Sequence, residues 1–71
     1  MQYTIILEQG ENSYGASVPD LPGCIAAGKT KNEALQLIKE AIEFHLEGLK
    51  EDGLPIPSPH CSSAIIEVDV A

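Results

Sequence analysis

The chain has 71 residues, with 11 acidic side chains against four lysines and no arginine, giving a formal charge of −7. That balance lacks the stripe of cations that binding to a nucleic-acid backbone or an anionic membrane requires. No direct nucleic-acid contact and no membrane contact are therefore expected, and an acidic chain of this kind is drawn toward basic partners. A chain this short buries only ~60% of its unfolded surface, so one thin-cored domain across residues 1–71 is expected. No apolar run approaches the ~18–20 residues of a membrane span. The start, Met1-Gln2-Tyr3-Thr4, lacks the basic opening of a signal peptide, which points to a cytoplasmic protein.

Residues 2–8 are rich in β-branched and aromatic side chains and predict a first strand. Tyr3, Ile5 and Leu7 fall on one face, and Thr4, Ile6 and Glu8 on the other. Gln9-Gly10-Glu11-Asn12 reads as a polar turn, with Gly10 supplying a positive φ. Residues 13–18 alternate again, Tyr14, Ala16 and Val18 against Ser13, Gly15 and Ser17, so the two runs predict a β-hairpin. Pro19 cannot donate to a ladder, and Pro22-Gly23 is turn punctuation. Residues 24–28 predict a short third strand closing an antiparallel meander.

A long helix follows. Thr30-Lys31-Asn32-Glu33 matches a capping box, with Thr30 as N-cap and Glu33 at the third helical position. The helix is expected to run to about Lys50 and to stop before Asp52-Gly53. Ala34, Leu35, Ile38, Ala41, Ile42, His45, Leu46 and Leu49 share one stripe at helical spacing. Glu33, Glu40, Glu43, Glu47 and Glu51 gather opposite, flanked by Lys39 and Lys50. Leu37, Phe44 and Gly48 widen the apolar arc beyond what a single helix on a small sheet needs.

Leu54-Pro55-Ile56-Pro57-Ser58-Pro59 is a proline-stiffened connector, long enough to run back along the helix. Residues 63–70 then alternate Ala64, Ile66, Val68 and Val70 with Ile65, Glu67 and Asp69, predicting a last strand. The order is β-β-β-α-β, an α+β fold. A right-handed crossover places the last strand beside and parallel to the first, in spatial order 3-2-1-4. One helix then covers one face of a four-stranded mixed sheet. On the other face, Ile6 and Ile65 form an apolar spot suited to a second copy.

Candidates for chemistry are few. A meander, helix and strand make the first half of a ribonuclease-H-like fold, but a two-metal nuclease needs several converging carboxylates. The first strand offers only Glu8, and Glu40 and Glu43 lie on the solvated helix face. Cys24 and Cys61 lack the spaced partners of a zinc site, so no metal is expected. Cys24 reads as a buried thiol and His60-Cys61 as a solvent-facing loop. Cys24 with His45 or His60 lacks a third orienting group for nucleophilic catalysis. The six glycines are scattered and form no phosphate-binding loop, so no cofactor is expected and the chain does not read as an enzyme.

The ordered run Val18-Pro19-Asp20-Leu21-Pro22-Gly23-Cys24, then Gly28, Thr30 and Glu33-Ala34, then Glu40-Ala41-Ile42 and Gly53-x-Pro55-Ile56-Pro57-x-Pro59, resembles the HicB-like antitoxin family over nearly the whole chain. The resemblance implies a partial ribonuclease-H-like fold. It also implies neutralisation of a basic HicA-type toxin, an RNA-cleaving protein, by covering its RNA-binding and catalytic surface. Longer family members carry a C-terminal DNA-binding segment, and none is expected here. The alternative is a solitary, self-associating structural or regulatory domain without a toxin.

The thin core, the wide helix arc and the Ile6/Ile65 spot point to a homodimer or a dimer of dimers. For a cationic partner, Glu40, Glu43 and Glu47 supply charge, joined by Asp20 and Glu67. Leu37 and Phe44 supply the apolar centre.

Overall fold

The computed structural model describes residues 1–70, which hold three strands and one helix. Strands β1 (Ile6–Gln9), β2 (Tyr14–Ser17) and β3 (Ile25–Gly28) form an antiparallel sheet in the order β1-β2-β3. Helix α1 (Lys31–Glu51) packs across one face. The register aligns Leu7 with Ala16 and Ala16 with Ala26. Tyr3, Ile5, Leu7, Tyr14 and Ala26 therefore turn toward the helix with buried Ala16 and Val18, the alternation expected of the hairpin. The core is small: Ala16, Val18, Leu21, Cys24, Ala34 and Ile38.

β1 is shorter than the apolar run that predicts it. Its ladder begins at Ile6 opposite Ser17, because the partner chain beyond Val18 turns away at Pro19. The first turn closes through Gly10, whose N–H donates to Ser13 O at 2.8 Å. Gly10 does not take up the expected positive φ; among the described residues Gly23, at +84°, and Gly53, at +68°, do. Gly23 lets the second turn fold back tightly. Leu21 N donates to Val18 O, Cys24 N to Leu21 O and Val18 N to Cys24 O, which drives Leu21 fully into the core.

The helix follows its sequence signals closely. Thr30 Oγ1 accepts from Glu33 N at 3.0 Å, and Glu33 Oε1 reaches back to Lys29 N, one residue before the expected partner. At the other end Gly53 N donates to Lys50 O and Leu54 N to Leu49 O, a Schellman closure made possible by the φ of Gly53. Gly28 lets β3 abut the helix start: a Cβ there would lie 2.7 Å from Ala34 N. Ala34 and Ile38 are buried, and Leu35, Ala41, Ile42, His45, Leu46 and Leu49 are partly covered, as the stripe predicts.

The fourth strand is the main correction. Residues 63–70 join no ladder within this chain, and Ile65, Ile66, Val68 and Val70 are 100%, 80%, 73% and 90% exposed. The molecule is 53 Å long but only 27 by 17 Å across, and its radius of gyration is 14.3 Å. A compact chain of this length would have about 11 Å. The tail projects from the body because its root is held at Cys61 (below) and it makes no backbone pairing with β1.

Candidate partner-binding site

Two surfaces and one anchor stand out. The first surface is the outer stripe of α1. Leu37, Glu40, Phe44, Glu47 and Glu51 follow one another at spacings of three and four, so they form one ridge. All are exposed; Leu37 is 38% accessible and Phe44 81%. The proline connector does not cover this flank, although its length allowed it to. Phe44, Glu47, Gly48 and Glu51 outline a shallow depression, where the missing side chain of Gly48 leaves room beside the ring. A large apolar ring surrounded by carboxylates is the arrangement expected to meet a cationic surface with an apolar centre. Glu43 is also exposed but lies to the side, at the rim of the second surface.

That second surface is an open apolar groove of about 370 Å³ between the sheet's β1 side and α1. Tyr3 and Ile5 form one wall, and Leu35, Ile38, Ile42 and Leu46 the other. It lies beside residues 3–5, which lead into β1; β1 pairs with β2 on one side and with no strand of the described residues on the other. On the opposite face of the sheet, Ile6 and Ile25 flank Ser17 in one row and are 47% and 71% exposed. Ile65, expected beside Ile6, is instead out on the projecting tail, as is Glu67.

The anchor is Asp20. It was expected to offer its charge to a partner, yet it is 5% exposed and spends its carboxylate inside the chain. Its Oδ2 accepts from both His60 N and Cys61 N at 3.2 Å. Its Oδ1 lies 2.9 Å from His60 Nδ1 in a geometry that makes no hydrogen bond. The Cys61 thiol hydrogen bond, opposed by burial and helped by the two backbone donors and the His60 charge, holds the Asp20 carboxyl below its usual 3.8. The same bond, with desolvation and the carboxylate charge, pushes the Cys61 thiol above 9.0. Burial raises the Cys24 thiol.

His60-Cys61 is therefore not a free solvent-facing loop. The His60 ring is outside, but the backbone of both residues is tied down. Thr4 Oγ1 donates to Cys61 O at 2.7 Å and Tyr3 OH to Pro57 O, so residues 54–61 form a strap fastened to the sheet. Asp20, His60 and Cys61 place cation-binding atom types within 4.8 Å of one another. Because the carboxylate already holds two N–H groups and the imidazole, the cluster serves as a pin for the strap. Sequence reasoning missed it because its members lie 40 and 41 positions apart, and no local pattern links them. No helix among the described residues is long and apolar enough to cross a membrane.

The structure thus presents an exposed helix ridge, an open apolar groove and a buried polar pin. Comparison with known proteins gives it a family. Residues 3–69 match the family described as "HicB_like antitoxin of bacterial toxin-antitoxin system". A UPF0150 protein of Thermoplasma acidophilum is 50% identical over 58 residues, covering 80% of this chain and 84% of that protein. A protein from the rep-hol intergenic region of Haemophilus phage HP1 is 49% identical over 57 residues, covering 80% of this chain and 43% of its own length. Antitoxin HicB 2 of Photorhabdus laumondii is 30% identical over 69 residues, covering 96% of this chain and 50% of that antitoxin. The chain thus spans half or less of the last two. Among solved structures, a chain of the HicA3 and HicB3 toxin-antitoxin complex superposes with a TM-score of 0.70 at 32% identity, covering 84% of this chain and 70% of that one. The chain belongs to the HicB-like antitoxin family.

Proposed function

We propose that this protein neutralises a basic HicA-type ribonuclease toxin by covering the toxin's RNA-binding and catalytic surface. The observation that carries this reading is Phe44, 81% exposed on a ridge of glutamates in a chain of charge −7. An aromatic anchor ringed by carboxylates supplies a desolvated centre and a charge pattern that favours a cationic partner. Glu40, Glu47 and Leu37 share the ridge, and Glu43 extends it toward the groove. Asp20 has no part in it, being consumed by the pin, and Glu67 contributes only where the tail lies. The likeness to a HicA–HicB complex supports the same partner. Two thiols unpaired with each other suit a cytoplasmic setting.

The neutralising unit in this reading is a homodimer or a dimer of dimers, in which residues 63–70 serve as the fourth strand and complete a partial ribonuclease-H-like sheet. The exposed tail also supports the second reading, a self-associating domain without a toxin. Charge reversal of Glu40, Glu43 and Glu47 to lysine, with the helix checked by circular dichroism, tests the toxin reading against a purified HicA-type toxin. A slower association that loses its salt dependence supports it. An unchanged rate and affinity moves the interface to the sheet.

A further inference from the structure

We infer that residues 63–70 of each chain add as a strand to the β1 edge of a second copy, with Ala64, Ile66, Val68 and Val70 filling that copy's groove. The inference deepens the self-association part of the proposed function and is independent of the toxin. The tail is strand-like in composition, alternates strictly, and exposes five apolar side chains with nothing in its own chain to cover them. A segment of that kind costs free energy in water and is removed by pairing.

The receiving site has matching chemistry. β1 is open on the side away from β2, and Ile6-Leu7-Glu8-Gln9 carries neither the proline nor the lysine that usually guards an edge. The groove lies beside the residues that lead into that edge, walled by Tyr3 and Ile5 on one side and by Ile38 and Ile42 of the helix on the other. A strand laid along residues 3–9 places one row of side chains toward this groove and the other on the outer face. The apolar row therefore enters, Ile65 comes to the face that carries exposed Ile6, and Glu67 and Asp69 stay in water.

The tail's exposure in its own chain argues for a second copy as the occupant. Asp20 and Thr4 hold Cys61 in place, and Ile65, Ile66, Val68 and Val70 beyond it are covered by nothing in that chain. Each copy has one tail and one groove, so a twofold exchange satisfies both at once and leaves neither open. Eight extended residues span roughly 26 Å. Two such strands with the grooves they enter reach the order of surface, about 1,600 Å² in total, that a stable dimer buries.

The test mixes isotope-labelled and unlabelled full chains in denaturant, refolds them together, and records isotope-filtered NOEs. Contacts between the methyls of Ile66 or Val68 and Tyr3 or Ile5 of the other chain are expected. The Ile66→Lys, Val68→Lys double variant should fall from twice to once the 7.6 kDa chain mass in light scattering, with its helix signal intact. A monomer whose tail contacts its own groove overturns the inference and the self-association reading together. A dimer that lacks these NOEs and survives the double substitution overturns the exchange alone, leaving association through another face. A monomer whose groove signals move only on adding a HicA-type toxin gives the groove to the toxin and likewise overturns it.

Discussion

Cys61 donates its backbone N–H to Asp20 Oδ2 across 41 positions of sequence, joining the turn after β2 to the end of the proline strap. The bond makes a buried acid into a fastener. It also sets the point from which the tail departs, so one side chain fixes both the turn after β2 and the root of the tail.

The pin should be acid-sensitive. The Asp20 carboxyl sits below 3.8 in the folded chain, so its stabilisation is complete above about 3.8 and is lost as pH falls through the lower folded value. Near neutral pH, Asp20→Asn is expected to unfold at lower urea than the parent, and the gap should close in strong acid. Amide exchange at His60 and Cys61 should speed up in the variant. The Cys61 thiol, freed from the carboxylate, should return toward 9.0 and alkylate faster at mildly alkaline pH.

Gly28→Ala tests the junction of β3 and α1. The new methyl would lie 2.7 Å from Ala34 N, and a backbone atom cannot swing aside as a side-chain end can. A loss of about 1–3 kcal/mol is expected in chemical denaturation. Gly48→Ala, where a Cβ meets nothing within 4 Å, should keep or gain stability.

Thr30→Ala removes the acceptor of Glu33 N. It should cost about 1 kcal/mol, read as a fall in thermal midpoint of roughly 4–8 °C. Thr30→Ser should restore most of it.

Phe44→Ala separates surface from core. With the ring 81% exposed, stability should change by less than about 0.5 kcal/mol. Affinity for a HicA-type toxin, measured by titration calorimetry, should fall roughly 30-fold or more, as for an interface anchor. Leu21→Ala, in the core, should show the reverse pattern, with a stability loss of about 2–5 kcal/mol.

What the sequence reveals tracks how local the signal is. The helix is legible from its Thr30 cap to its Gly53 stop, because capping and periodicity act within a few residues. The hairpin faces are legible because Tyr14, Ala16 and Val18 alternate against a polar row. The helix ridge at Glu40, Phe44 and Glu47 is visible as a surplus of apolar and acidic positions, and the structure leaves those positions open to solvent. The Asp20 pin is illegible, since hydrogen bonding between a turn and a strap 40 residues later leaves no periodic trace. The tail is legible as a strand by composition. Its separation from β1 is not, because alternation specifies which side chains share a face and is silent on which chain supplies the neighbouring edge.

The strap also has a kinetic meaning. The main packing partners of the body are neighbours along the chain: β1 with β2, β2 with β3, and β3 with α1. Such a topology assembles quickly because few long loops must close before its contacts form. The strap's side-chain bonds are different, spanning 40 to 57 positions. Contacts of that span close the longest loops, so the strap is expected to dock last during refolding and to lift first in a local opening. Amide exchange at His60 and Cys61 that outpaces exchange at Ala34 and Ile38 would show the root of the tail released on a faster clock than the melting of the core.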